Sequence, residues 1–170
     1  MVIPFQCRNC DGAILLILIK SKSCSHRCQH LTNMPIAYLT RKETISCSHR
    51  LHNEHLSEQD NKLIYGKCNN FWGHGHNYTV EITIRGPVDS TTGMVMNLSD
   101  LKVYVQKVLG QMDHKNLDKD VDYFKSVVST TENVAIYIFT EMKKLMPKPE
   151  LLYEIKVCET DKNIVSYRGE

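Results

Sequence analysis

The sequence lacks any large surplus of one charge. Its 21 basic and 19 acidic side chains leave a net charge of +2, which is no electrostatic footprint for a nucleic acid partner. It also lacks a hydrophobic run long enough to span a bilayer: the stretch Ala13-Ile14-Leu15-Leu16-Ile17-Leu18-Ile19 falls far short of the ~20 residues a transmembrane helix needs. No membrane partner is expected. An export signal is poorly supported, since little positive charge precedes that run and no clear small-x-small cleavage site follows it. Seven cysteines are an odd number with no regular spacing, which argues against a disulfide framework and for reduced thiols in a cytoplasmic protein. What remains is 170 residues, 42% hydrophobic and 24% charged, enough for one ordinary domain with a real core.

Residues 1–33 read differently from the rest. They carry the small basic excess, Arg8, Lys20, Lys22 and Arg27 against Asp11. Cys7, Cys10, Cys24 and Cys28 with His26 and His30 can be drawn as a zinc module, but the greasy run between the pairs gives no ribbon or finger pattern. The expectation is an N-terminal extension, disordered or outside the catalytic domain, with residues 34–170 forming that domain from Met34 onward.

The centre of the chain is Gly66-Lys67-Cys68-Asn69-Asn70-Phe71-Trp72-Gly73-His74-Gly75-His76-Asn77-Tyr78. From its end the residues alternate, with His74, His76, Tyr78, Val80, Ile82 and Ile84 on one side and Asn77, Thr79, Glu81, Thr83 and Arg85 on the other. That period predicts a half-buried strand. The two histidines continue the apolar face and point toward the core. One inward histidine is commonly a hydrogen-bonded core residue, whereas two imidazoles on a protected face can grip one metal ion, with Cys68 beside them as nucleophile or base. A third ligand is needed, and the pentapeptide Ser-Cys-Ser-His-Arg occurs twice, ending at Arg27 and at Arg50, which offers His26 or His49. Residues 38–52 are rich in Thr and Ser, with Ile45 and Cys47 alternating toward His49, and suit a first strand. A neighbouring pair of strands brings His49 level with His74 and His76, giving three nitrogens and one open position for Zn²⁺, the catalytic arrangement of that metal.

Further along, residues 53–62 read as a polar loop. Asn97 caps a helix with Leu98, Leu101, Val105 and Val108 inward. A loop then carries Asp113-His114, which on its own is weak evidence of function. Ser129-Thr130-Thr131-Glu132 reads as a capping box for a helix with Val134, Ile138, Met142 and Leu145 inward, stopped by Pro147 and Pro149; Glu132 then needs only a capping role. Residues 151–159 form a third strand with Tyr153, Ile155, Val157 and Glu159 on one face, and Ile164 to Tyr167 a fourth. A carboxylate ending an apolar face is costly unless paired or liganded, which makes Glu159 a site candidate. The order ββααββ predicts an α+β domain, a four-stranded antiparallel sheet with two helices on one face.

Assembled in order, Gly66-Lys67-Cys68-Asn69-Asn70, Gly73-His74-Gly75-His76-Asn77-Tyr78, Gly93-Met94-Val95-Met96-Asn97-Leu98, Asp113-His114-Lys115-Asn116-Leu117, Ser129-Thr130-Thr131-Glu132-Asn133 and Glu159-Thr160 resemble the 6-pyruvoyl tetrahydropterin synthases of the animal type, over about residue 36 to the end. The resemblance implies a zinc-dependent lyase that removes triphosphate from 7,8-dihydroneopterin triphosphate and gives 6-pyruvoyl-tetrahydropterin in tetrahydrobiopterin biosynthesis. It implies Zn²⁺ on His49, His74 and His76, Cys68 as proton acceptor, and Asp113 with His114 as the relay beside it. Glu159 would hold the pterin's N–H donors, with Thr131 nearby and Glu132 as a further substrate contact. The implied architecture is the tunnelling fold, in which three protomers pair their sheets into a barrel, two trimers stack, and sites lie between protomers.

Three other readings share part of this pattern. A 6-carboxy-tetrahydropterin synthase has the same fold and histidines but spaces its cysteine closer to His-Gly-His, whereas five residues, 69–73, separate Cys68 from His74 here. A zinc metallohydrolase would use Glu159 as base. A non-catalytic, zinc-stabilised binding module would have no use for Cys68.

Overall fold

A computed structural model describes residues 34–170 of the chain; the readings placed on residues 1–33, including the alternative ligand His26, lie outside them. Two long strands, β1 (Ile36–His49) and β2 (His74–Pro87), pair antiparallel along their whole length, from Ile36 opposite Pro87 to His49 opposite His74. Between them lie α1 (Glu58–Tyr65) and a short 3-10 turn over Gly66–Asn69. After β2 come α2 (Leu98–Leu109), a two-residue β3 (Lys115–Asn116), the single turn α3 (Leu117–Asp120), α4 (Thr131–Leu145), β4 (Leu152–Cys158) and β5 (Ile164–Tyr167). The sheet runs β3-β1-β2-β4-β5. It is antiparallel except where β3 lies parallel to Cys47 and Ser48 of β1.

Register follows from burial. Tyr78, Val80, Ile82 and Ile84 of β2 are fully buried, as are Ile155 and Val157 of β4, against Leu101 and Val105 of α2 and Val134, Ile138 and Met142 of α4. Each such aliphatic side chain is worth about 1.5–3 kcal/mol, and a one-residue slip would turn every one of them outward together with both histidines. The opposite face is polar: Thr40 and Thr83 are hydrogen bonded at 2.8 Å, and Glu81 lies between Lys42 and Lys156 at 3.5 and 3.4 Å. No helix among the described residues is long and apolar enough to cross a membrane.

The α+β class, the four principal strands and the two core helices agree with the sequence reading. The differences are local and physical. The sheet has a fifth strand, because the backbone of Lys115 and Asn116 pairs with the end of β1. Within the stretch expected as a polar loop α1 begins and runs on to Tyr65, capped by Ser57 Oγ accepting from Asp60 N at 3.0 Å. Its anchor is polar: Asn61, fully buried, accepts from Asn53 N and donates to the carbonyls of Asn53, Leu56 and Ser57. The cap of α4 is Thr130, not Ser129, with Thr130 Oγ1 accepting from Asn133 N. Tyr153 does not continue the buried face of β4; the register of β2 against β4 shifts after Thr83, so Ile84 lies opposite Leu152, which is buried in its place.

Candidate metal and catalytic site

β1 ends and β2 begins at the same level, so the pairing of His49 with His74 sets their imidazoles side by side, and the period of two puts His76 next to them on the covered face. The turn that allows this requires Gly73. Its φ is +71°, and a Cβ there would stand 2.6 Å from the His49 carbonyl oxygen, so any other residue strains the backbone or pushes the strand ends apart.

One nitrogen from each of His49, His74 and His76 lies within 4.8 Å of the others. The Nε2 atoms of His49 and His74 are 3.1 Å apart, close to the ~3.3 Å separating two nitrogens held at about 2.0–2.1 Å by a tetrahedral zinc. His49 is buried, and its Nδ1 donates to the Ser129 carbonyl at 2.7 Å, which leaves the Nε2 lone pair facing the cluster. His74 Nδ1 and His76 Nε2 are buried without a hydrogen-bond partner, an arrangement that proteins rarely leave uncompensated. Burial, with the neighbouring imidazole His76 adding to it, holds His49 below the usual histidine range; burial and then His49 and His76 do the same for His74. Both are therefore neutral at pH 7, the form that binds a metal. The donor set fits zinc.

Tyr78 lies beneath the cluster with its hydroxyl 3.5 Å from His49 Nε2. Burial, then the charges of Glu159 and Cys47, push its phenol well above the usual tyrosine range, so it stays protonated. Glu159 joins from the end of β4: its Oε1 is 3.6 Å from His76 Nε2 and accepts from Thr131 Oγ1 at 2.9 Å. Thr131 is buried at the first turn of α4, while Glu132, one residue on, is exposed. Cys68 is half-buried on the turn before β2, its carbonyl accepting from Leu51 N at 3.0 Å. Cys47 is chemically quiet. Its thiol donates to the Met112 carbonyl, and burial, then the nearby Asp113 carboxylate, push it up to about 12.

Asp113 and His114 sit elsewhere, at the rim of β1. Asp113 Oδ1 accepts from Ser46 N at 2.9 Å, Oδ2 lies 3.0 Å from His114 Nδ1, and His114 N donates to the Ser46 carbonyl at 2.7 Å. The Ser46 N–H, more than His114, holds the Asp113 carboxyl below the usual range. His114 has a φ of +59°, a conformation that costs a non-glycine residue of order 1–3 kcal/mol. It borders a shallow recess of about 400 Å³ with Ser46, Ser48 and Asn77 of the open face, and Gly75 and His76 line the same recess. Within one chain, then, His49, His74, His76, Thr131 and Glu159 come together, and the Asp113–His114 pair does not join them.

The family model for 6-pyruvoyl tetrahydropterin synthase matches residues 38–170. The chain belongs to the 6-pyruvoyl tetrahydropterin synthase family. Among its relatives, the 6-pyruvoyl tetrahydrobiopterin synthase of Drosophila melanogaster is 57% identical over 140 residues, 82% of this chain and 83% of that protein. The Homo sapiens protein of the same name is 54% identical over 135 residues, 79% of this chain and 92% of the other. The solved structure of Caenorhabditis elegans 6-pyruvoyl tetrahydropterin synthase superposes with a TM-score of 0.80 at 51% identity, covering 81% of this chain and 98% of that one. As in the rest of this synthase family, the fold is α+β, and the chain is an enzyme.

Sequence reasoning missed Asp118 and Ser129, which reach His49 from behind. Asp118 gave no signal, being one acid in a polar loop, and Ser129 was read as a helix cap.

Proposed function

We propose that this chain is a zinc-dependent lyase converting 7,8-dihydroneopterin triphosphate to 6-pyruvoyl-tetrahydropterin and triphosphate, a step toward tetrahydrobiopterin. The observation that carries the reading is the cluster of three imidazoles with the Thr131–Glu159 pair at its edge, in a chain of this family.

His49, His74 and His76 would hold the metal through one nitrogen each. A zinc ion bound there supplies Lewis-acid polarisation of the substrate's side-chain hydroxyls. The remaining chemistry belongs to the chain. Glu159, fixed by Thr131, accepts from the pterin's amino and ring N–H groups and sets the side chain over the histidines. Cys68 takes the proton from the hydroxyl-bearing carbon. Asp113 orients His114, which exchanges the proton beside the thiol. Because that pair lies on the open face, we assign it to the Cys68 of another protomer, in a homo-oligomer of trimers stacked in pairs whose sheets join through the edges of β1 and β5. Unpaired strand edges of this kind require covering. Glu132, exposed in the first turn of α4, is assigned to the helix terminus rather than the pterin. A catalytic thiol requires reducing conditions, which supports a cytoplasmic location. Residues 34–170 are the catalytic domain, and residues 1–33 are not needed for turnover.

The test is product analysis on one purified, metal-quantified sample. Triphosphate release together with 6-pyruvoyl-tetrahydropterin supports the reading. A 6-carboxy product would move the chain to the sister reaction, and hydrolysis of the triphosphate with the side chain intact would make it a hydrolase.

A further inference from the structure

His49 is the buried member of the metal cluster, and what stands behind it is a carboxylate that the reaction does not use. Asp118, on α3, spends both of its oxygens on groups next to His49. Oδ2 accepts from the backbone N–H of Arg50, the residue directly after His49, at 2.6 Å, and Oδ1 accepts from the hydroxyl of Ser129. Ser129 is fully buried, and its carbonyl is the acceptor for His49 Nδ1 at 2.7 Å. One side chain therefore grips the histidine's own strand on one side and its ring's hydrogen-bond partner on the other.

We propose that Asp118 is a positioning residue for the metal site, acting through Ser129 and the Arg50 amide to fix the tautomer and orientation of His49. The physical need is specific. An imidazole that binds a metal through Nε2 must keep its proton on Nδ1, and the acceptor that holds that proton sets both the ring angle and the basicity of the other nitrogen. Here the acceptor is a backbone carbonyl in residues 126–130, the irregular stretch between a 3-10 turn over Asp122–Lys125 and α4. Its place relative to β1 is set by what ties it down, and Asp118 ties it to the very residue that follows the ligand. Removing the carboxylate frees both ends together. Ser129 loses the partner of its hydroxyl, Arg50 N loses its acceptor, and the His49 ring loses its fixed angle, with no atom of the cluster itself changed. Loss of such an outer partner typically costs 10–100-fold in metal affinity.

This inference rests on the zinc reading of the three histidines, and the experiment separates the two. Zinc affinity is measured by chelator competition on the full chain, and the visible absorption of the Co²⁺-substituted protein reports the ligand geometry, for wild type, Asp118→Ala, Asp118→Asn and Ser129→Ala. The expected result is a zinc affinity about 10–100-fold weaker in Asp118→Ala, with an altered Co²⁺ spectrum. Asp118→Asn should recover most of the loss, because its carbonyl still accepts from Arg50 N and its amide can donate to a Ser129 hydroxyl that has turned round. Should Asp118→Ala fail to fold, Ser129→Ala carries the test, since it removes one arm while keeping the carbonyl; a smaller weakening with the same spectral change supports the proposal. A folded Asp118→Ala, or in its place Ser129→Ala, with wild-type affinity and spectrum would overturn it and leave Asp118 a purely structural tie. If wild type binds neither metal, the three-histidine reading falls and this one with it.

Discussion

The two faces of the sheet finish in different chemistry. On the covered face, β1 and β2 bring three imidazoles and a protonated phenol into one place, and the end of β4 adds a carboxylate paired with Thr131 of α4, all from a single chain. On the open face the same strands present serine, threonine and asparagine, and the Asp113–His114 pair sits at the rim of β1 with an exposed ring. The covered face is set by burial, which decides register and hence which nitrogens meet. On the function proposed above, the pair on the open face acts on the Cys68 of a second protomer.

The strongest way to break this contrast is to remove one side of it at a time. His49→Ala should abolish zinc binding and turnover together, because it takes out the one ligand whose tautomer is fixed by a hydrogen bond; metal analysis that finds full zinc occupancy in this variant would put the third ligand elsewhere, with His26 the first alternative. Next, Cys68→Ala should keep its fold and its zinc and lose about 10²–10⁴ in kcat, the usual contribution of a positioned base, with KM little changed. Zinc loss in that variant would make Cys68 a fourth ligand. Mixing Cys68→Ala with His114→Ala protomers sharpens the comparison further. Each alone should be nearly inactive, while unfolding and refolding them together should restore part of the activity, because a mixed assembly can place an intact thiol against an intact pair. No recovery would contradict the shared site.

A smaller effect is expected at the junction of the strands. Gly73→Ala must either adopt a left-handed backbone or move the His49 carbonyl, at a cost of order 1–3 kcal/mol, read as a lower Tm and weaker zinc binding; an unchanged Tm would mean the turn relaxes freely. The smallest is a pH effect in metal-free protein. His49 and His74 have pKa values lowered on folding, so as the pH falls through about 6.5 the unfolded chain takes up protons that the folded chain refuses. Stability should therefore be fully present above that pH and fall on acidification, until the folded-state values are themselves passed. Denaturant midpoints from pH 7.5 to 5 should show a shallower fall in His74→Ala, and an identical slope would show that the imidazoles are not the cause.

How much of this was legible in the sequence depended on whether burial left a periodic trace. β2 showed the cleanest period, and its alternation foretold both the buried face and the inward histidines; α2 was capped at Asn97 as its pattern suggested. α1 left no such trace, because its only buried residue is Asn61, while Leu63 and Ile64 are exposed. A two-residue β3 has no period to read. At Leu152 and Tyr153 the register shift breaks the alternation in a way that composition does not announce. In the site, Glu159 was found because a carboxylate at the end of an apolar run is costly, whereas Asp118 was invisible, since what it does depends on the Arg50 amide and the Ser129 hydroxyl, both distant in sequence. The Asp113–His114 pair was legible as a motif but not as a place.

On the proposed function, the covered face holds a metal on His49, His74 and His76, and this metal is required for elimination. The most direct measurement is zinc content and triphosphate release on the same preparation, before and after chelator treatment and after zinc is added back. The expected result is one zinc per chain, loss of release on chelation in proportion to zinc removed, and recovery on readdition. Full triphosphate release with 6-pyruvoyl-tetrahydropterin formed by metal-free protein would contradict it.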